Sequence, residues 1–317
     1  MTLSLPARSG LWIALLLEVV ILTALTSTLG GNSLFDSTFL SWTNISQVMR
    51  ALSFIAIMSV GESLVLITGG VDLSVGSILG LSGVVSAVLL GSGSGIAAAV
   101  AAGLIVGFLC GLANGLVITH AKLPPFIVTL GMMSVARGLA FAMTGGETIR
   151  GLPPAFLTFG QSSFAGIPIP ILVMTVVALA AGVVLKATAW GRHIYAIGGN
   201  EEASVFSGID VRTLKVAVYS ASGLAAGLAG VLFTSRFGVG QSTAGLGYEL
   251  DVIAAAVIGG VSLSGGQGTI LGAMLGSILM GILRNGLVLL NVSAYWQQVA
   301  IGLVIVVAVI LDRKERS

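Results

Sequence analysis

Residues 61–83 read GESLVLITGGVDLSVGSILGLSG, an apolar stretch that is interrupted by GGVDLS at 69–74. Glycine lets a backbone leave helical geometry. Irregular backbone at membrane depth is tolerated only where it is buried in protein or lines a cavity. The stretch therefore predicts two apolar helices, one on each side of a Gly-rich break that lies inside the protein.

The overall composition places this break in a membrane protein. Of the 317 residues, 56% are hydrophobic and 8% are charged, and the mean hydropathy is +1.08. Because a soluble chain carries about a quarter charged residues, a soluble domain is excluded and lipid is the expected solvent. The 45 glycines are typical of closely packed membrane helices.

The composition also argues against several kinds of site. The single cysteine, Cys110, lies in an apolar run, so neither a disulfide framework nor a Cys-based metal site is expected. A net charge of +2 without a basic patch gives no reason to expect a nucleic-acid partner. His120 and His193 both fall in polar loops, so a proton relay through histidine is not expected.

About ten apolar stretches have the length of a membrane span. They predict an all-α integral membrane protein with Gly-broken or re-entrant segments, built as one domain with a first half of about 1–145 and a second half of about 169–317. The first stretch is expected to be a retained helix rather than a signal peptide, and the eighth is short for a full crossing. The predicted spans are 11–30, 49–68, 74–90, 96–118, 126–144, 169–187, 214–235, 250–262, 269–289 and 296–312.

Lysine and arginine are shared unevenly between the loops. With both termini cytoplasmic, nine of these residues lie inside and four outside, and Arg137 falls within a span. An excess on the inside is the usual bias, so we predict cytoplasmic N and C termini. The Pro- and Gly-rich loop 145–168 then faces outside, and the longest polar loop, 187–213, faces the cytoplasm.

The loop 187–213 contains GGNEEASVFSG at 198–208. Asn200 is a favourable helix cap, two acids follow in the first turn, and Gly208 is suited to ending the helix. A short amphipathic helix on the cytoplasmic face is well placed to dock a soluble partner. The alternative is a simple connector with a solvated helix.

The break at 69–74 has an echo in GGVSLS at 259–264. Paired Gly-interrupted segments in two halves point to the substrate path of a transporter, and their freed backbone groups suit a hydroxylated solute. The predicted path residues are Gly69, Gly70, Asp72, Ser74, Gly259, Gly260, Ser262 and Ser264.

A second echo, NGLV at 114–117 and 285–288, does not share the spacing of the first. The first GGV run lies 45 residues before its NGLV, and the second lies only 26 before. One simple duplication cannot produce both distances. The span count also places both GGV runs on the same side, where a five-helix inverted repeat would oppose them. An internal repeat and a re-entrant course for 259–268 therefore stay open.

Five ionisable residues lie in or at the edge of apolar spans: Glu18, Glu62, Asp72, Arg137 and Asp251. Charges at this depth are costly, so they face the bundle interior, a partner or water. Glu62 and Arg137 form a hypothetical ion pair. Asp72 is suited both to capping the next helix and to a direct role in transport, and both interpretations remain open.

Two short motifs suggest enzymes, and neither has the residues that the chemistry needs. LSGGQ at 263–267 is the signature string of ABC-type ATPases, but none of the four lysines follows a glycine, so there is no P-loop. GLSG at 80–83 matches the G-x-S-G of rhomboid-type proteases, but neither histidine lies within a span to activate the serine. The chain is therefore not expected to be an enzyme.

Four long motifs occur in order: GESLVLITGGVDLSVGSILGLSG (61–83), LPPFIVTLGMMSVARG (123–138), GRHIYAIGGNEEASVFSGI (191–209) and TAGLGYELDVIAAAVIGGVSLSGGQGTILGAMLG (243–276). From about residue 40 onward the chain thereby resembles the permease subunits of bacterial ribose-type ABC importers. The resemblance implies a subunit of about ten helices in the inner membrane that works with a second permease copy, identical or paralogous. It also implies a cytoplasmic ATPase that binds ATP-Mg, a periplasmic sugar-binding protein, and a ribose-like pentose or related sugar as substrate. It implies no cofactor on this chain.

The resemblance further implies that 187–213 is the coupling loop that docks on the ATPase. Other ABC importers carry EAA-x-x-x-G there, and Glu202-Ala203-Ser204 with Gly208 has that spacing, with serine in place of the second alanine. The implied coupling residues are Gly191, Asn200, Glu201, Glu202, Ala203 and Gly208.

Two alternatives remain. One is a stand-alone, ion-coupled secondary transporter of a small polar solute, which has no need of a docking loop. The other is a branched-chain amino-acid-type ABC permease, which the sugar-type motifs disfavour.

Overall fold

The computed structural model describes residues 7–30 and 37–314. Within these ranges the chain forms thirteen helices and one small hairpin, in which β1 (Ser163–Phe164) pairs with β2 (Ile167–Pro168). The helices are α1 Ala7–Gly30, α2 Trp42–Ile67, α3 Val75–Gly91, α4 Ile96–His120, α5 Pro125–Thr144, α6 Pro154–Gln161, α7 Ile169–Ala187, α8 Ala189–Gly199, α9 Glu201–Phe206, α10 Val211–Phe237, α11 Tyr248–Ile258, α12 Ile270–Leu289 and α13 Ala294–Lys314.

Each of the ten predicted spans falls on one of these helices, which confirms the all-α membrane fold. In the described ranges, seven helices are long and apolar enough to cross a membrane: α1, α2, α4, α5, α7, α10 and α12. Helix α3 is apolar but has 17 residues, and α11 has only 11. These two short helices flank the breaks that the glycine pattern predicts.

Helix α2 forms the centre of the bundle. In its most apolar window 94% of the residues are buried, against 17% in α5 and in α7. Helix α10 packs on α2, α3, α4 and α6. The peripheral helices keep apolar side chains exposed, as expected where lipid is the solvent.

Glycines bring α4 and α10 unusually close together. A Cβ on Gly107 would lie 2.5 Å from the carbonyl oxygen of Gly223 and 2.7 Å from the Cα of Gly227. A Cβ on Gly223 would in turn overlap the backbone of Gly107 and Gly111. The two backbones therefore touch directly, which gains dispersion contacts where water supplies no hydrophobic drive.

The eighth predicted span, 250–262, is a half-length helix preceded by irregular chain. After α10 the chain pairs Gly240 with Ile149 and packs Gly240 against Ala87, near the end of α3. It then runs back beside α3 until Gly245 meets Gly76, in the first turn of that helix. Eleven residues of helix correspond to roughly 16 Å, about half of a bilayer core. The apolar run 250–262 is short because α11 starts about halfway across the bilayer core and not at its surface.

The hypothetical Glu62–Arg137 ion pair is wrong. Arg137 Nη1 donates instead to the carbonyl oxygens of Ser242 and Ala244, at 2.5 and 2.7 Å. The irregular chain before α11 has carbonyls without helical partners, and the guanidinium satisfies two of them. Glu62 instead accepts a hydrogen bond from the backbone of the break at 69–74, which is described below.

The close contact between α4 and α10 yields a stability prediction. In Gly107→Ala the added methyl group meets backbone that has no room to yield, so we expect a loss of about 1–3 kcal/mol of stability. Thermal unfolding in detergent measures it. Gly131→Ala is the matched control, because a Cβ there has nothing within 4 Å. Equal melting temperatures for both variants would contradict the close packing of these helices.

Candidate translocation and coupling site

The helices before Gly69-Gly70 and Gly259-Gly260 end with the same backbone motif. The structurally equivalent residues are shifted by one position from those that the sequence echo aligns. Gly69 has φ +79° and Gly260 has φ +83°. In each case the next residue donates to a carbonyl five residues back: Gly70 N to Val65 O at 3.1 Å, and Val261 N to Ala256 O at 3.0 Å. This is the Schellman arrangement. Gly69 therefore corresponds structurally to Gly260, whereas the letters align it with Gly259.

After the first break the chain turns back into the bundle and enters a buried polar cluster. The backbone N–H of Asp72 donates to Glu62 Oε1 at 3.1 Å. Asp72 Oδ1 accepts from the backbone N–H of Ser74 at 2.9 Å and from its hydroxyl group. Ser222 Oγ donates to Asp72 Oδ2 at 3.2 Å, and Asn114 Nδ2 donates to Ser74 Oγ at 3.0 Å. We call these five residues the polar junction.

The polar junction ties four helices together. It joins α2, α4 and α10 to the turn before α3, and all five of its residues have 0% exposure. These hydrogen bonds favour the arrangement of the helices that brings the partners together, while Glu62 Oε2 and Asn114 Oδ1 have no hydrogen-bond partner among the described residues. Asp72 acts here as the residue that closes the turn before α3, and this conformation leaves it inaccessible to solvent.

The second break lies against the first, at the end of the bundle that carries α8 and α9. The backbone N–H of Gly266 donates to the carbonyl of Ile67, the last residue of α2, at 2.9 Å. A Cβ on Gly198 of α8 would overlap both of these groups. A Cβ on Gly265 would lie 2.7 Å from Gly198 O and 3.0 Å from Gly69 N. We call this meeting of Ile67, Gly69, Gly198, Gly265 and Gly266 the glycine junction.

The LSGGQ run is thus a compact turn between α11 and α12. Its base is closed by Ser262 N donating to Gln267 O at 3.0 Å, and Tyr195 of α8 donates its hydroxyl to Gly268 O at 2.7 Å. Burial raises the pKa of that tyrosine. Among the predicted path residues, Gly70, Asp72, Ser74, Gly259 and Ser262 are buried, and Gly69, Gly260 and Ser264 are exposed.

The loop 187–213 holds two helices, α8 and α9, where one was expected. Asn200 caps α9, because its Oδ1 accepts from Ala203 N at 2.8 Å. Glu201 pairs with Lys215 of α10 at 2.6 Å, and Gly208 ends the motif at φ +82°. A Cβ on Gly191 would overlap the backbone of Leu185, so this glycine forms the tight corner between α7 and α8.

Helix α9 presents a mixed surface to solvent. Glu202 is exposed, and Phe206 and Val205 are 84% and 56% exposed. Beside α9 a cavity of about 370 Å³ is lined by residues that include Lys122, Leu123, Glu201 and Lys215. Beyond the end of α9, Asp210 caps α10. The pKa of Asp210 is lowered, chiefly because the Thr213 hydroxyl group donates a hydrogen bond to its carboxylate.

Sequence reasoning missed several of these residues. Asn114 appeared only in the second echo, and Ser222 and Gly198 carried no signal of their own. Ser222 lies 150 residues from Asp72, so only the packing of α10 on α2 and α4 reveals it. The exposure of Phe206 could have been predicted from the sequence. An aromatic residue in a polar loop that lacks a periodic apolar pattern suggests a contact surface.

The glycine junction yields a second prediction. Gly198→Ala should displace α8 from the ends of the two breaks, because the added methyl group overpacks the contact by about 1–3 kcal/mol. We therefore expect proteolysis of the loop 187–213 in solubilised protein to accelerate by about tenfold. Gly199→Ala is the matched control, because a Cβ there has nothing within 4 Å. A cleavage rate that is unchanged in Gly198→Ala would show that this contact does not hold α8 in place.

Comparison with known proteins adds relatives that cover nearly the whole chain. The chain is 46% identical over 287 residues to the ribose import permease protein RbsC of Bacillus subtilis (strain 168), covering 90% of this chain and 89% of that protein. It is 42% identical over 305 residues to RbsC of Escherichia coli (strain K12), covering 95% and 93%. It is 38% identical over 282 residues to the D-allose transport system permease protein AlsC of that strain, covering 89% and 86%.

No solved structure matches the chain significantly. A family model described as the permease component of a branched-chain amino acid transport system matches residues 44–309. This range includes the polar junction, the glycine junction and both helices of the loop 187–213. By this match and by these relatives, the chain belongs to that family of transport-system permease components.

Proposed function

We propose that this chain is the permease subunit of an ATP-driven importer that carries a ribose-like monosaccharide into the cytoplasm. The observation that carries the proposal is the 42–46% identity to ribose import permeases over at least 90% of the chain. Both junctions and the coupling loop lie inside the matched length. The energy would come from a partner ATPase, which alone would bind ATP-Mg.

The two alternatives account less well for these observations. The family description names branched-chain amino acids, but the relatives at 38–46% identity carry the names of ribose and D-allose permeases. A stand-alone secondary transporter needs no exposed helix beyond its bundle. Helix α9 projects Phe206 into solvent and is well placed for a soluble partner.

The proposed docking surface is the exposed face of α9 with the neighbouring cavity. Exposed aromatic side chains are frequent anchors at protein interfaces, and Phe206 stands at the end of the helix. Glu201 is held by Lys215 at 2.6 Å, so α9 is fixed to α10. Movement of the ATPase would therefore displace α8, α9 and the start of α10 together.

The glycine junction gives this movement a direct route to the membrane segments. The end of α8 touches the end of α2 and the turn before α12 without an intervening side chain. A rigid backbone contact transmits a displacement that flexible side chains would absorb. Nucleotide can drive the transition only through its different affinity for the two states of the complex.

We place α8 and α9 in the cytoplasm, with both termini, on the Lys/Arg bias of the loops. The opposite end, with α6 and the β1–β2 hairpin, would then face the periplasmic sugar-binding protein. A second copy of the permease, identical or paralogous, would complete the path. The chain itself is a multi-pass protein of the inner membrane.

A reconstituted uptake assay tests the function. Proteoliposomes with this chain, its ATPase and its binding protein should accumulate labelled ribose only when ATP is supplied. An ionophore that collapses ion gradients should leave uptake unchanged. Uptake that needs the gradient rather than ATP would support the secondary transporter, and uptake of leucine instead of ribose would support the amino-acid permease.

The docking surface has its own test. Phe206→Ser should weaken binding of the ATPase by about 2 kcal/mol, as expected for a central aromatic anchor, or about 30-fold. Co-purification and ribose uptake measure the effect. Phe164→Ser, at an aromatic residue that is 71% exposed in β1, is the control at the other end. The coupling role of α9 would be refuted by normal ATPase binding in Phe206→Ser.

A further inference from the structure

The irregular chain before α11 presents an exposed edge at membrane depth, with polar side chains at Gln241 and Thr243 and an apolar one at Leu246. Along 241–246 the side chains alternate, with Ser242 and Ala244 buried against α3 and Gln241, Thr243 and Leu246 exposed. Leu246 is 71% exposed. The segment lies beside α3 from Ala87 down to Gly76, so these exposed positions fall well inside the bilayer thickness.

An exposed edge of this kind cannot face lipid. Hydrocarbon offers no partners to irregular backbone, and such segments occur only where protein or a water-filled cavity covers them. Arg137 points to the same conclusion, because it lies partly exposed on α5 and donates two hydrogen bonds into the segment through Nη1. A guanidinium at this depth is stable only beside water or polar groups.

A second ionisable side chain, that of Glu249, lies beside α3 about one turn nearer the start of this helix than Arg137. Glu249 Oε2 is 2.5 Å from the position of a Cβ on Gly76, and Arg137 Nη1 is 3.1 Å from the position of a Cβ on Gly80. Glu249 Oε2 is buried and has no hydrogen-bond partner among the described residues. The glycines of α3 thus leave room for an acid and a base about 6 Å apart along the helix axis.

These groups fit a neutral, polyhydroxylated solute. Arg137 and Glu249 have side chains of opposite formal charge, so the site has no formal net charge that would favour cations or anions. The side chains of Gln241 and Thr243 donate and accept, as do sugar hydroxyl groups. A site built to exchange hydrogen bonds with hydroxyl groups discriminates against solutes that lack them.

We propose that the exposed side chains of Gln241 and Thr243, together with Arg137, form a sugar-contact site about halfway along the translocation path. The proposal rests on the function proposed above. It assigns direct contact with the solute to these side chains rather than to Asp72 and Ser74, which the polar junction keeps buried. The exposed edge faces the water-filled path and not the second permease copy.

Cysteine accessibility tests the site in the complete, reconstituted complex. The parent is Cys110→Ala, which removes the chain's one cysteine. To it we add Thr243→Cys or, as a matched control, Thr175→Cys at an exposed position of α7. Because a thiol must ionise to react and ionises only in contact with water, we expect a membrane-impermeant methanethiosulfonate reagent to modify Thr243→Cys roughly tenfold faster than the control. Modification should block uptake, and saturating ribose should slow it.

The outcomes separate this site from the function on which it rests. If the parent imports no sugar with ATP, the proposed function fails and the site fails with it. If the unmodified Thr243→Cys variant imports sugar but reacts no faster than Thr175→Cys, the function stands and the site is refuted. Efficient oxidative cross-linking between two copies at Thr243→Cys, without protection by ribose, would place the edge in an interface and also overturn the proposal.

Discussion

Backbone that leaves helical geometry inside a lipid-embedded bundle must satisfy its N–H and C=O groups without bulk water. This chain does so at three places, and each place uses different partners. The first break donates Asp72 N–H to a buried carboxylate at 3.1 Å. The second closes on itself and on the end of α2. The segment before α11 uses the guanidinium of Arg137. The positions of Glu62 and Arg137 inside apolar helices follow from this requirement.

Close backbone contact is the second condition for the arrangement. The glycine junction exists because Gly198, Gly265 and Gly266 have no Cβ atoms that would hold α8 away from α2. The same condition brings α4 against α10, which positions Asn114 at Ser74 and Ser222 at Asp72. Glycine in helices is costly in conformational entropy. In this bundle that cost is offset by contacts that larger residues would prevent.

Much of the fold was predictable from local pattern, because lipid forces each span to appear as a long apolar run. The ten helices on which the predicted spans fall, the Asn200 cap and the end of the motif at Gly208 all follow from residues close in sequence. The partner of Arg137 was not predictable, because it is a pair of carbonyl groups in irregular chain 105 and 107 residues away. Charge alone suggested Glu62, and no sequence pattern reveals that a backbone competes for the same guanidinium.

The echo of the two GGV runs illustrates a subtler limit. Letters align Gly69 with Gly259, but the conformation aligns it with Gly260, because φ is positive at Gly69 and Gly260. The helix before the break ends two residues before the first glycine in the first case (Ile67, Gly69) and one residue before it in the second (Ile258, Gly259). The two runs also lie in contact, through Gly266 N and Ile67 O at 2.9 Å. They therefore lie at one end of the bundle, as the span count indicated, and not at opposite ends.

Helix α3 connects these elements into one mechanical unit. It begins at Val75, directly after the polar junction, and its Gly76 and Gly80 carry the segment before α11. The turn that leads into α3 starts at Gly69, which lies in the glycine junction beside α8. A displacement of α8 therefore reaches the segment 241–249 through two rigid contacts and one short helix. The distance between a docking surface and a site at mid-membrane is bridged by packed backbone, so a small movement at one end need not be lost before it reaches the other.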